Sequence, residues 1–102
     1  EFLFVDDLAE ACLHLIEKYS GDEHVNVGTG SDVSIAELAN LICQTVGYSG
    51  SLVFDTSRPD GTPRKLLDVA KIHTLGWRAS TGLREGLAIA YEDFKQGGGR
   101  NK

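Results

Sequence analysis

Between Asp55 and Lys65 the chain gathers three cations, Arg58, Arg64 and Lys65, with two carboxylates, Asp55 and Asp60, and two prolines, Pro59 and Pro63. A planar guanidinium fork and a compact ammonium suit an anionic ligand such as a diphosphate. The prolines on either side of Asp60-Gly61 restrict how the backbone can flex. A solvated loop with ordinary surface ion pairs would have the same composition, and spacing alone leaves both readings open. Gly28-Thr29-Gly30 offers a second possibility, because two glycines between a strand pattern and a helix pattern belong to a dinucleotide-binding turn. Its third glycine is missing, although Asp55 stands near the place of the acidic residue that would meet a ribose. A plain strand-to-helix turn is the simpler reading. Tyr91 and Lys95 stand at the spacing at which a lysine can lower the pKa of a tyrosine acid, yet Tyr91 lies on an apolar stripe with Leu87 and Phe94, so core packing accounts for it. His14, His24 and His73 share no ligand spacing with Cys12 or Cys43, and no metal site is expected. The pair Asp6-Asp7 is explained by capping and dipole effects at a helix start.

These side chains need elements to position them. Asp7 is expected to cap a helix with Leu8, Ala11, Cys12, Leu15 and Ile16 on its inner stripe, ending near Ser20-Gly21. His24 to Val27 reads as a short strand leading into the glycine turn. Ser34 and Glu37 form a capping box, opening a helix that turns Ile35, Leu38, Ala39, Ile42 and Val46 inward and closes at Gly47. Ser51 to Asp55 reads as a strand, and Thr56 to Lys65 as a loop. Asp68 is expected to cap a short helical piece carrying Val69, Ile72 and Leu75 that Gly76 ends. Leu83, Leu87, Ala90, Tyr91 and Phe94 mark a last helix. Residues 97–102 have nothing apolar to bury and read as a disordered tail, leaving 1–96 as a single domain.

Composition narrows the function classes. With 102 residues, 41% hydrophobic and 25% charged, the chain can build one modest core. A formal charge of −5 argues against a nucleic-acid binder, whose affinity depends on clustered cations. No apolar run approaches the roughly 20 residues of a membrane-spanning helix, and the opening residues lack the basic flank of a signal peptide, so a cytoplasmic protein without membrane partners is expected. The two cysteines read as reduced core residues. Phe2 to Val5 is apolar at every position, as in a strand buried on both faces of a larger sheet, which implies a partner upstream.

The run Glu1-Phe2-Leu3-Phe4-Val5-Asp6-Asp7-Leu8-Ala9, followed by Asn26-Val27-Gly28-Thr29-Gly30, resembles the C-terminal third of extended short-chain dehydrogenases that act on nucleotide sugars. The stretch from Val53 to Asp68, with Leu75-Gly76-Trp77 after it, is more specific and resembles the GDP-L-fucose synthase family. That resemblance implies a parent enzyme that epimerises GDP-4-keto-6-deoxymannose at two carbons and reduces its ketone with NADPH. Cofactor and catalytic groups would lie before Glu1, so it implies no catalytic residue and no bound cofactor in this chain, and neither Cys12 nor Cys43 is the epimerisation cysteine. Substrate binding carries over to Asp60 on the nucleoside side and Lys65 at the diphosphate, with Arg64 a further candidate. The implied fold is a small mixed α/β substrate-binding lobe lacking the Rossmann cofactor domain, with Val25 to Val27 joining that domain's sheet edge. The implied partners are a GDP-sugar, the missing domain and, through an exposed apolar edge, a second copy. The chain alone would be inactive. Two alternatives remain: the substrate lobe of another nucleotide-sugar epimerase or dehydratase, and a stand-alone nucleotide-sugar-binding module.

Overall fold

The computed structural model describes residues 1–97 of the chain; most of the expected tail, from Gly98 on, lies outside the described residues. Four helices form among them: α1 (Val5–Lys18), α2 (Ile35–Val46), α3 (Ala70–Thr74) and α4 (Leu83–Lys95). The chain gathers into two compact units. Among the described residues, the first holds 1–32 and 65–83, and the second holds 33–64 and 84–97.

In the first unit, Ala11, Val69, Ile72 and Trp77 form the buried core, with Leu3, Leu15, Val25, Val27 and Ala79 packed against it. The core is thus built from one face of α1, from α3 and its flanks, and from two extended segments. Helix α3 is brief because Gly76, at φ 98°, reverses the backbone. The Trp77 amide donates to the Ile72 carbonyl at 3.2 Å and the Gly76 amide to the His73 carbonyl at 3.0 Å, which together satisfy the orphan carbonyls at the helix end. Lys71 ties α3 to the segment after α1, donating to the Tyr19 hydroxyl at 3.1 Å and the His24 carbonyl at 3.2 Å. The Trp77 indole nitrogen is buried without an acceptor among the described residues, a cost that burial of the large ring outweighs.

Asp7 does not cap α1. Phe4 stands at the N-cap position and gives no side-chain hydrogen bond. Asp7 is instead only 2% exposed. Its carboxylate accepts from the Thr81 amide at 2.9 Å, the Thr81 hydroxyl at 3.1 Å and the Ser80 hydroxyl at 3.2 Å. Burial pushes its pKa upward, but the Thr81 and Ser80 donors outweigh that and hold the carboxyl below its ordinary value.

The inner stripe of α1 is displaced by one residue from the sequence expectation. Asp7 and Ala11 are buried and His14 and Leu15 half-buried, while Leu8, Cys12 and Ile16 face outward. Ile16 is 78% exposed. Cys12 is therefore no core cysteine, and Cys43 is half-buried; both are free thiols. The reason is that a buried, triply bonded carboxylate decides which face turns inward, and apolarity alone does not encode that choice.

The second unit holds α2 and most of α4. Ser34 and Glu37 form the expected capping box, with the Ser34 hydroxyl accepting from the Glu37 amide at 3.1 Å, and Gly47 ends the helix at φ 77°. No residue of α2 is fully buried. Leu38, Ala39 and Leu41 are half-buried, whereas Ile35, Ile42 and Val46 are exposed, against the expected stripe. The Arg84 guanidinium donates to the Gln44 side-chain carbonyl at 2.9 Å.

The described residues contain no β-strand. Phe2 to Val5, His24 to Val27 and Ser51 to Asp55 were each expected as strands. Phe4 does have extended dihedrals, φ −65° and ψ 138°, and α1 begins at Val5. A strand needs a ladder partner for its amides and carbonyls, and these segments find none among the described residues.

Asp7→Ala is expected to lower the unfolding free energy by about 3 kcal/mol, by stranding the Thr81 amide and two hydroxyls. Asp7→Asn, which keeps one acceptor, costs less. Urea denaturation followed by the fluorescence of the single tryptophan reads both. Because the folded-state carboxyl lies below its ordinary value of 3.8, its stabilisation is full above that pH and is lost as pH falls further toward the depressed value. Ile72→Ala is expected to cost about 3 kcal/mol and Ile16→Ser under about 0.5 kcal/mol in the same assay; a large loss from Ile16→Ser would restore the displaced stripe.

Candidate functional site

From Gly47 to Asp68 the backbone forms neither helix nor strand, and every residue is exposed. Val53 reaches 90% exposure. Within this run Asp55 makes a local turn: its carboxylate accepts from the Ser57 hydroxyl and from the Ser57 amide at 3.0 Å. Those two donors, the hydroxyl first, hold the Asp55 carboxyl below its ordinary value. The Arg58 guanidinium approaches to 4.0 Å with both side chains well exposed, a surface ion pair of little energetic weight. Asp55 is therefore committed to shaping its own turn.

Of the three residues expected to bind substrate, Asp60 and Arg64 belong to the second unit and Lys65 to the first. All three are exposed. The side chains of Asp60 and Lys65 form no hydrogen bond or ion pair among the described residues. A cation in that condition keeps its full charge for an incoming anion.

The glycine turn is occupied from within the first unit. Glu1 Oε2 accepts from the Gly30 amide at 2.7 Å, and Glu1 Oε1 accepts from the Leu67 amide at 3.0 Å. The Thr29 hydroxyl lies 3.4 Å from Glu1 Oε2 and 2.9 Å from the Ser31 carbonyl. Having one proton, it donates chiefly to the nearer oxygen. Partial burial pushes the Glu1 carboxyl upward, but the Leu67 and Gly30 amides, with help from Thr29, bring it below the ordinary glutamate value. A side chain at Gly28 would place its Cβ 2.7 Å from Glu1 Oε2, and one at Gly30, where φ is 82°, 2.9 Å from Val69. The glycines thus admit a carboxylate. A pyrophosphate in their place would meet the charge of Glu1, so this turn does not fit a dinucleotide cofactor.

Glu1 escaped the sequence reading. Its only signal was an acidic residue heading an otherwise apolar run, and its partners stand 29 and 66 positions away.

Tyr91 and Lys95 do meet, but through the ring: the Lys95 ammonium lies 4.8 Å from the ring centroid and 2.6 Å from a Glu92 carboxylate oxygen. The bond to Glu92 raises the Lys95 pKa and pairs its charge with that carboxylate instead of leaving it for the tyrosine. His14 Nε2 pairs with the Leu75 carbonyl at 2.7 Å. Arg78, which can only donate, bonds His73 Nδ1 at 3.0 Å, placing the proton of a neutral His73 on Nε2. No three His, Cys, Asp or Glu side chains among the described residues cluster as metal ligands.

No family model matches the sequence. A protein of Arabidopsis thaliana named GDP-L-fucose synthase 1 is 53% identical over 92 residues, covering 90% of this chain and 28% of the relative. The chain matches the C-terminal portion of GDP-L-fucose synthases. It spans under a third of the length of the curated relatives it matches. Among solved structures, a GDP-6-OMe-4-keto-L-xylo-heptose reductase from Campylobacter jejuni superposes with a TM-score of 0.81 at 40% identity, over 89% of this chain and 29% of that one. A GDP-mannoheptose C4 reductase from the same organism, with NADP bound, gives 0.75 at 40% identity over 88% and 29%. The helix-rich arrangement is thus similar to part of these GDP-sugar reductases.

Gly28→Ala and Gly30→Ala are expected to lower stability by about 1–3 kcal/mol each, by pushing on the Glu1 carboxylate and by straining a positive φ. Gly61, with nothing within 4 Å of a built Cβ, tolerates alanine without change. Thermal melts of the three variants make the comparison.

Proposed function

We propose that this chain is the GDP-sugar-recognising portion of an NADPH-dependent enzyme that epimerises GDP-4-keto-6-deoxymannose and reduces its ketone to give GDP-L-fucose. The observation that carries this reading is the 53% identity to a GDP-L-fucose synthase across 90% of the chain. In this reading Lys65 opposes the diphosphate charge, Asp60 accepts from the nucleoside, and Arg64 adds a second cation. Lys65 suits the role because its ammonium has no internal counter-ion among the described residues.

The chemistry itself belongs to the rest of such an enzyme. Bound NADPH would supply hydride to the sugar ketone, and the Gly28–Gly30 turn, committed to Glu1, does not fit that cofactor. The NADP bound in the Campylobacter reductase supports a separate cofactor-binding portion, of which this chain would be the substrate-binding partner. The extended segments around Leu3 and Val25–Val27, already packed on the core of the first unit, are the parts that would complete a mixed α/β lobe by pairing with that portion's sheet. Residues 1–96 would then act as one substrate-binding domain in a cytoplasmic enzyme, inactive when alone, and the exposed apolar residues of α1 leave room for a second copy.

Calorimetric titration with GDP-L-fucose tests the reading, with a UDP-sugar and Lys65→Ala as controls. Expected are a preference for the GDP-sugar and a loss of about tenfold or more in the variant. Equal binding of the two nucleotides, or no effect of Lys65→Ala, would overturn the assignment of the loop.

A further inference from the structure

Lys65 is an exposed residue at the end of a long exposed run, and its side chain has no partner among the described residues. Something other than its own packing must fix where its ammonium stands. The backbone on its C-terminal side supplies the answer. The Glu1 carboxylate takes the Leu67 amide at 3.0 Å, and the backbone nitrogen of Glu1 lies 3.4 Å from the Lys65 carbonyl. Glu1 therefore brackets Lys65–Leu67 from both sides of Leu66. Its other oxygen is held at 2.7 Å by the Gly30 amide. One carboxylate joins the glycine turn to the exit of the recognition loop.

We infer that Glu1 is the positioning residue for Lys65: its carboxylate, braced by Gly30, sets the backbone course of Lys65–Leu67 and so the point from which the ammonium meets a nucleoside diphosphate. The inference rests on the GDP-sugar reading for the identity of the ligand, but not for the bracing itself.

The choice of a carboxylate has a physical consequence. An acid near an anion-binding lysine would ordinarily compete as its counter-ion. Here the two amide dipoles occupy both oxygens of Glu1, and Lys65 forms no ion pair among the described residues. Bracing is thereby obtained without neutralising the cation. A glutamine offers one acceptor where the glutamate offers two, so it can hold Gly30 or Leu67 but not both in the same way.

Two measurements on the 102-residue chain decide the matter. In amide-resolved NMR, the Gly30 and Leu67 resonances are expected to follow a single acidic titration, lost in Glu1→Gln together with the exchange protection of the Leu67 amide. Independent behaviour of the two amides, or a Leu67 amide indifferent to Glu1→Gln, overturns the bracing. In calorimetry with GDP-L-fucose, Glu1→Gln is expected to weaken binding about tenfold in the wild-type background and little in Lys65→Ala. Equal losses in both backgrounds would assign Glu1 a general structural role and overturn the positioning. If the wild-type chain binds no GDP-L-fucose while Gly30 and Leu67 respond as expected, the GDP-sugar reading fails and the bracing stands.

Discussion

The first unit is organised around a buried negative charge. Asp7 is nearly inaccessible, and a carboxylate in that condition is tolerable only when its oxygens are satisfied. Thr81 and Ser80 do this with one amide and two hydroxyls. The consequences run outward. The face of α1 that carries Asp7 turns inward, so Ala11 and Leu15 pack toward Ile72, Val69 and Trp77 while Leu8, Cys12 and Ile16 are left outside. The segment after Trp77 is pinned to the start of α1, 74 positions away in sequence. Removing the charge would release the turn and the helix register together.

Glu1 applies the same chemistry at a shallower site. Its carboxylate is also satisfied by backbone amides, and it also joins segments distant in sequence. The difference lies in what is joined. Asp7 closes the core, whereas Glu1 links a glycine turn to residues just beyond an exposed loop. Between Gly47 and Asp60 the Asp55 carboxylate shapes a local turn by accepting from Ser57. The two prolines limit the freedom of this exposed loop.

The two units differ in what they bury. Every buried hydrophobic residue described belongs to the first unit. In the second, α2 relies on its capping box, its glycine stop and half-buried leucines, with Gly86 the buried residue of α4. Local opening free energies follow buried apolar contacts, so hydrogen exchange in the second unit should be faster.

Much was legible from local pattern. The helices around Leu8, Leu38, Ile72 and Leu87, the Ser34–Glu37 box and the glycine stops at Gly47 and Gly76 each depend on residues within one or two turns, and sequence order determines such neighbours directly. The Asp60–Lys65 motif was equally plain as a motif. Tertiary structure alone decided the rest. Which stripe of α1 faces inward depended on Ser80 and Thr81, whose hydroxyls and amide Asp7 needed. What the Gly-Thr-Gly turn receives depended on Glu1 arriving from the far end of the same unit. Whether extended apolar segments become strands depended on finding ladder partners, and these found none among the described residues. Periodicity reports which side chains share a face; only the folded chain brings distant polar groups close enough to satisfy one another, and that requirement selects the face, the turn's occupant and the pairing.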